Sequence, residues 1–123
     1  MPRKATAQML EADLPALRDT VQSAIDQGRV GKPRFVRCIG HVKDPAEVDG
    51  AIDDLLALAE SWFGGPAKSR QRIGAADGLL RSDIATWPAG QSAVLAATSA
   101  ATRNFPAFDT MLIGSAGTIY HEA

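Results

Sequence analysis

Apolar residues recur at helical spacing from Asp13 onward. Leu14, Leu17, Val21 and Ile25 share one face, and Arg18, Asp19, Gln22 and Asp26 lie largely opposite. Asp13 is placed to cap this helix, Pro15 falls close to the first turn where its missing N–H is tolerated, and Gly28 provides the stop. Residues 1–8 are polar and read as a frayed end. After the break at Gly31-Lys32-Pro33 the period changes to two. Over residues 34–43, Val36, Cys38, Gly40 and Val42 point one way, and Phe35, Arg37, Ile39 and His41 the other. The first face is small and apolar and suits packing under a helix. The second mixes large apolar groups with cationic or titratable ones, as an interface does, or simply an amphipathic surface.

A second helix follows at once. Asp44-Pro45-Ala46-Glu47 combines an N-cap Asp, a proline at the first position and a glutamate at the third. Val48, Ile52, Leu55, Leu56, Ala59 and Phe63 then make a continuous stripe, with Asp49, Asp53 and Glu60 mostly on the other side, until Gly64-Gly65-Pro66 ends the run. Residues 68–74 alternate as a short exposed strand, and residues 82–87 read as strand or helical turn. Trp87-Pro88-Ala89-Gly90-Gln91 is a turn, Ser92 to Ser99 an alanine-rich strand, and residues 100–107 a loop. Asp109 to Ile113 and Thr118 to His121 form a hairpin about Gly114-Ser115-Ala116-Gly117. The pattern predicts one α+β domain: two main helices on one face of a mostly antiparallel sheet of about four to six strands.

Composition narrows the function. The 123 residues include 46 % hydrophobic and 22 % charged, with a net charge of −1, so neither nucleic acid nor an anionic membrane is an expected partner. The single cysteine, Cys38, allows no internal disulfide and fits a reducing compartment. With no signal-like or membrane-length apolar run, the expected location is the cytoplasm. Two histidines and one cysteine far apart show no zinc spacing.

Three segments together resemble the C-terminal domain of Gfo/Idh/MocA oxidoreductases, the family of glucose–fructose oxidoreductase and inositol dehydrogenase. The first runs from Ala24 to Val36, a helix ending in Gly28 followed by Arg29-Val30-Gly31-Lys32-Pro33 and a strand. The second is the amphipathic helix from Ile52 to Phe63 closing in Gly64-Gly65-Pro66, and the third is the glycine hairpin from Met111 to Tyr120. The resemblance implies an open sheet whose exposed face packs against another subunit. The departures are equally specific. Family members carry a Rossmann domain with a glycine-rich loop and a catalytic lysine, and here no G-x-G-x-x-G occurs and few residues precede Gly28. The family's Asp, His, Asp series near the long helix corresponds to Asp49, Gly50, Asp53 and Asp54, with no histidine between Val42 and Gly64. No cofactor is therefore expected, and the implied role is that of a stand-alone, non-catalytic, oligomerising or accessory domain.

The candidate ligand or interface residues are Phe35, Arg37, Ile39, His41, Asp49, Asp53, Asp54 and Trp87. His41 can carry a proton near neutrality or decorate an interface strand. His121 beside Glu122 reads as terminal polar decoration, and Cys38 as a buried small hydrophobe. Asp49 and Asp53 share a helix face and could bind a cation, though a solvated face near a helix N-terminus accounts for them as well. Lys68, Arg70, Arg72 and Arg81 form a basic cluster suited to a phosphate or acidic partner, or to guarding an edge strand. Trp62, Phe63 and Trp87 are core or interface anchors, and Trp87 could line a pocket. Two other expectations follow from these residues. In one the chain is a substrate-binding subunit beside a separate Rossmann-bearing chain, with the Asp49–Asp54 region and Trp87 lining a shared cleft. In the other it is a small ligand-binding module.

Overall fold

The computed structural model describes residues 5–73, 80–99 and 107–121. Residues 1–4, 74–79 and 122–123 and most of the loop read at 100–107 lie outside them. The elements are α1 (Ala5–Asp26), β1 (Pro33–His41), a 3-10 turn (Pro45–Glu47), α2 (Val48–Phe63), β2 (Ser69–Arg72), β3 (Leu80–Thr86), β4 (Ser92–Thr98), β5 (Ala107–Gly114) and β6 (Thr118–His121). Among the described residues the strands form one six-stranded sheet in the order β2-β3-β4-β1-β5-β6. β1 runs parallel to β4, and every other neighbouring pair is antiparallel. A parallel pair needs a crossover, which α2 supplies on its way from β1 to the far edge. No helix among the described residues is long and apolar enough to cross a membrane.

The start of α2 follows the expected chemistry. The Asp44 carboxylate accepts from the Ala46 N–H at 3.0 Å, and the Glu47 carboxylate accepts from the Asp44 N–H at 3.2 Å. This capping box closes the 3-10 turn that feeds the helix. Gly64 ends it, its N–H donating to the Glu60 carbonyl. α1 differs from the sequence reading. It begins at Ala5 instead of Asp13, and Pro15 lies inside it. The preceding residues are mainly Ala, Gln, Met, Leu and Glu, which favour helix strongly enough to extend it past a proline that removes one backbone bond. The ambiguous stretch 82–87 is strand β3 through Thr86.

The core lies between the sheet and α2, which packs on β4, β1 and β3, with α1 against α2. Val36, Cys38, Leu95 and Leu112 are fully buried on the helix-side face, as are Ile52 and Leu55 on α2. Ala85, Ala93 and Ala97 are small on this face and also fully buried, which explains an alanine-rich strand at the centre of a sheet. Trp62 Nε1 donates to the Arg18 carbonyl at 3.2 Å and ties α1 to α2.

Two of the three segments that carry the resemblance interlock. The Ser115 and Ala116 N–H groups donate to the Lys32 and Val30 carbonyls at 2.9 and 2.8 Å, and the Lys32 N–H donates to Ser115 Oγ at 2.9 Å. A β-carbon on Gly114 would collide with the Val30 carbonyl oxygen, and one on Gly117 would sit 2.5 Å from that of Arg29. Here the glycines serve close backbone approach: the turn between β5 and β6 lies directly on the loop between α1 and β1.

Candidate functional site

Every strand residue on the far side of the sheet from the helices belongs to one face, and the register places its side chains in rows. Ile84, Val94, Arg37, Met111 and Tyr120 are successive neighbours from β3 to β6. Phe35 stands between Ser92 and Ile113, Ile39 between Ala96 and Asp109, and His41 between Thr98 and Ala107. The large exposed apolar residues among those described are Ile73, Leu80, Ile84, Ile113 and Tyr120, from 37 to 56 % exposed. By strand alternation Leu80, Ile84, Ile113 and Tyr120 belong to this open face, and Ile73 directly follows the end of β2. These side chains leave large apolar groups in water on one side of the sheet.

A polar pair stands on this face where β1 ends. His41 Nε2 lies 3.3 Å from Asp109 Oδ2, with both side chains at most a fifth exposed. His41 Nδ1 is buried and has no hydrogen-bond partner among the described residues. Arg37 is exposed and makes no hydrogen bond or ion pair among the described residues. Of the expected site residues, Phe35, Arg37, Ile39 and His41 thus come together on one surface. Asp109 was not foreseen, because its pairing with His41 depends on the β1–β5 register and strands 68 residues apart give no local signal.

The aspartates on α2 belong to a different construction. Arg81 grips Asp83 through Nε and Nη2 at 3.0 and 3.1 Å and reaches Asp49 with Nη1 at 2.7 Å. Arg70 donates to Asp83 and to Asp53, both at 2.7 Å. The residues read separately as a basic cluster and a solvated acidic face are one network joining α2 to the β2–β3 edge. Burial pushes the Asp83 carboxyl up, but the hydrogen bonds from Arg81 and Arg70 more than offset this and hold it below the usual aspartate range. Asp49 is also lowered, chiefly by its bond from Arg81. Their charges are matched by these arginines, and among the described residues no group of His, Cys, Asp and Glu could hold a metal ion.

The remaining candidates lie elsewhere in the fold. Trp87 is 3 % exposed, its Nε1 donates to the Gly65 carbonyl at 2.8 Å, and Phe63 meets it edge-on with ring centroids 4.7 Å apart. It is a core anchor packed against Phe63. Asp54 faces away from Asp49 and Asp53, into a groove of about 270 Å³ between α1 and α2 that Leu14, Arg18, Ala57 and Leu58 also line. Cys38 is enclosed on the helix side, where burial pushes its thiol up to about 12 despite the Thr110 hydroxyl 3.7 Å away, so it is no nucleophile.

The sequence matches no family model and no curated protein. Solved structures do share the fold. A probable dehydrogenase from Thermotoga maritima superposes with a TM-score of 0.70 at 13 % identity, covering 85 % of this chain and 38 % of its own. Myo-inositol 2-dehydrogenase from Lactobacillus plantarum gives 0.64 at 14 % identity, with the same 85 and 38 %. An oxidoreductase domain protein from Kribbella flavida gives 0.67 at 18 % identity, covering 89 % of this chain and 37 % of its own. The chain therefore has the fold of the C-terminal sheet domain of Gfo/Idh/MocA-type oxidoreductases, and it spans well under half the length of the chains it matches.

Proposed function

We propose that this chain is a non-catalytic oligomerising domain that associates with a second copy through the open face of its sheet. The observation carrying this reading is the asymmetry of the sheet. Helices cover one face, while the other presents Leu80, Ile84, Ile113 and Tyr120 to solvent. Burying such a surface removes apolar area from water at about 25 cal/mol per Å², and a two-fold copy is the simplest self-complementary cover. Size-exclusion chromatography with light scattering at micromolar concentration tests it. A particle of at least twice the chain mass is expected, with Ile84→Lys shifting it toward the monomer. A strictly monomeric particle overturns the reading.

The partial coverage of longer dehydrogenases favours one other reading, a subunit working beside a separate dinucleotide-binding chain. Affinity purification from the native host that recovers a dehydrogenase-like partner supports it, and recovery of this chain alone counts against it.

A further inference from the structure

The sheet has two edges, β2 and β6, and they are built differently. β2 carries Arg70 and Arg72, and Arg70 is bonded to Asp53 of α2. Pairing β2 with its own copy brings arginines together, and charge of this kind guards an edge. β6 is Thr118-Ile119-Tyr120-His121, without Lys, Arg, Asp, Glu or Pro, and its first three residues are strong strand formers. α2 packs on β4, β1 and β3, and α1 on α2, so the helix layer is centred away from β6. The outward backbone groups of β6 follow from its turn. The Gly114 N–H donates to the Gly117 carbonyl at 2.8 Å, which makes these two a hydrogen-bonded pair. Bonded and non-bonded pairs alternate along an antiparallel ladder. Leu112–Ile119 and Thr110–His121 are therefore bonded, and Ile113–Thr118 and Met111–Tyr120 are not. The N–H and C=O groups of Thr118 and Tyr120 point away from β5, and among the described residues they have no partner. The turn itself is fixed on the α1–β1 loop by the Ser115 and Ala116 N–H groups, so the edge is ordered before anything binds it.

We propose that β6 pairs antiparallel with β6 of a second copy, Thr118 against the partner's Tyr120, about a two-fold axis normal to the sheet at Ile119. Each Thr118 N–H then donates to the opposite Tyr120 carbonyl, and each Tyr120 N–H to the opposite Thr118 carbonyl. All the outward groups of both strands are used, and the two sheets become one. The occupant is a second copy because the edge is complementary to itself: it sets no like charges together and the two-fold contact closes. Pairing β6 with β2 of another copy would be head to tail and would propagate. Each Tyr120 ring also lies beside the partner's Thr118, an aromatic and β-branched cross-strand pair. The contact is separate from the open-face association proposed above, and neither needs the other. A four-residue strand offers little area, so the pair by itself belongs with weak associations, those burying less than about 1,200 Å².

The test uses the full chain carrying I84K, which disables the open face on β3, far from β6. Sedimentation equilibrium of I84K is expected to show a dimer with a dissociation constant between about 10 μM and about 1 mM. I84K/T118P removes two of the four new bonds and none within the chain, since proline is tolerated where its nitrogen faces outward. The dissociation constant is expected to rise at least about tenfold. Amide exchange by NMR reads the contact directly. In I84K the Thr118 and Tyr120 N–H groups are expected to exchange more slowly as concentration rises, and in I84K/T118P Tyr120 loses most of that dependence. Circular dichroism melting shows whether I84K/T118P folds. If it does not, I84K/T118K, with a lysine guarding the edge, takes its place. An I84K chain that is monomeric at about 1 mM, or a dimer indifferent to the substitution at Thr118, overturns edge pairing and leaves the open-face reading standing. A parent dimer that survives I84K but is lost in T118P overturns the open-face reading and supports this one. A parent that is monomeric throughout overturns both.

Discussion

The same six strands present two faces with opposite solutions to the same problem. On the helix side, β1, β4 and β5 contribute small or medium apolar groups, fully buried beneath Ile52 and Leu55. A charged cluster sits at the β2–β3 edge, where Asp83 is matched by two arginines. On the open side the apolar groups are larger and half-exposed, and Arg37 lies near the middle, unmatched among the described residues. A face completed by its own chain has its charges paired within that chain. The comparison separates a side completed by its own chain from one that leaves large apolar groups in water.

The largest expected effect tests whether the helix side is the sole core. Leu95 on β4 is fully buried, between Cys38 and Asp83 in the sheet register. Leu95→Ala removes three buried carbons beneath a helix that cannot follow them inward, which costs about 2–5 kcal/mol. Urea unfolding should show a lower midpoint at unchanged slope. A loss below about 1 kcal/mol would mean that the helix layer packs loosely and that the contrast between the faces is shallow.

Next comes the charge cluster. Asp83→Asn keeps the size of the side chain and removes the charge that faces Arg70 and Arg81, two cations already largely withdrawn from water. Removing one partner of a fully buried pair costs about 3–5 kcal/mol; Arg70 is about a third exposed, so about 2–3 kcal/mol is expected. The pH dependence fixes the sign. The folded-state carboxyl lies below its ordinary range, so its contribution is fully present above about pH 4 and is lost as the pH falls through the folded value. The parent should lose stability more steeply in acid than Asp83→Asn does. Parallel acid limbs for the two proteins would show that Asp83 is not the group responsible.

Much of this architecture is visible in the sequence, and what is missing is missing for identifiable reasons. The alternation of Phe35, Arg37, Ile39 and His41 against Val36, Cys38 and Gly40 defines both faces of β1, because strand period is a local property. The capping box at Asp44 and the stop at Gly64 are local as well. The Asp49–Arg81 and Asp53–Arg70 pairs span 32 and 17 residues and join a helix to two strands whose placement beside it no local pattern gives, so acids and bases read as separate surface features. Asp109 escaped notice for the same reason, since only the β1–β5 register makes it a neighbour of His41. Trp87 reads equally well as core or pocket until the Gly65 carbonyl and Phe63 are seen around it.

The smallest expected effect is the sharpest. Val94 adjoins Leu95 on β4 but points to the open face, with Ile84 and Arg37 as its register neighbours. It keeps part of its surface in water, so Val94→Ala removes little buried area within one chain. The unfolding free energy of the monomer should fall by less than about 1 kcal/mol, against several for the adjacent Leu95→Ala. The measurement belongs at protein concentrations low enough to keep the chain monomeric, since association adds stability by mass action. At higher concentration the two variants should diverge in kind as well as size. Val94→Ala weakens association while leaving the monomer nearly intact, and Leu95→Ala does the reverse. If Val94→Ala costs the dilute monomer as much as Leu95→Ala, the open face is already covered within the folded chain, and no second copy is needed to explain it.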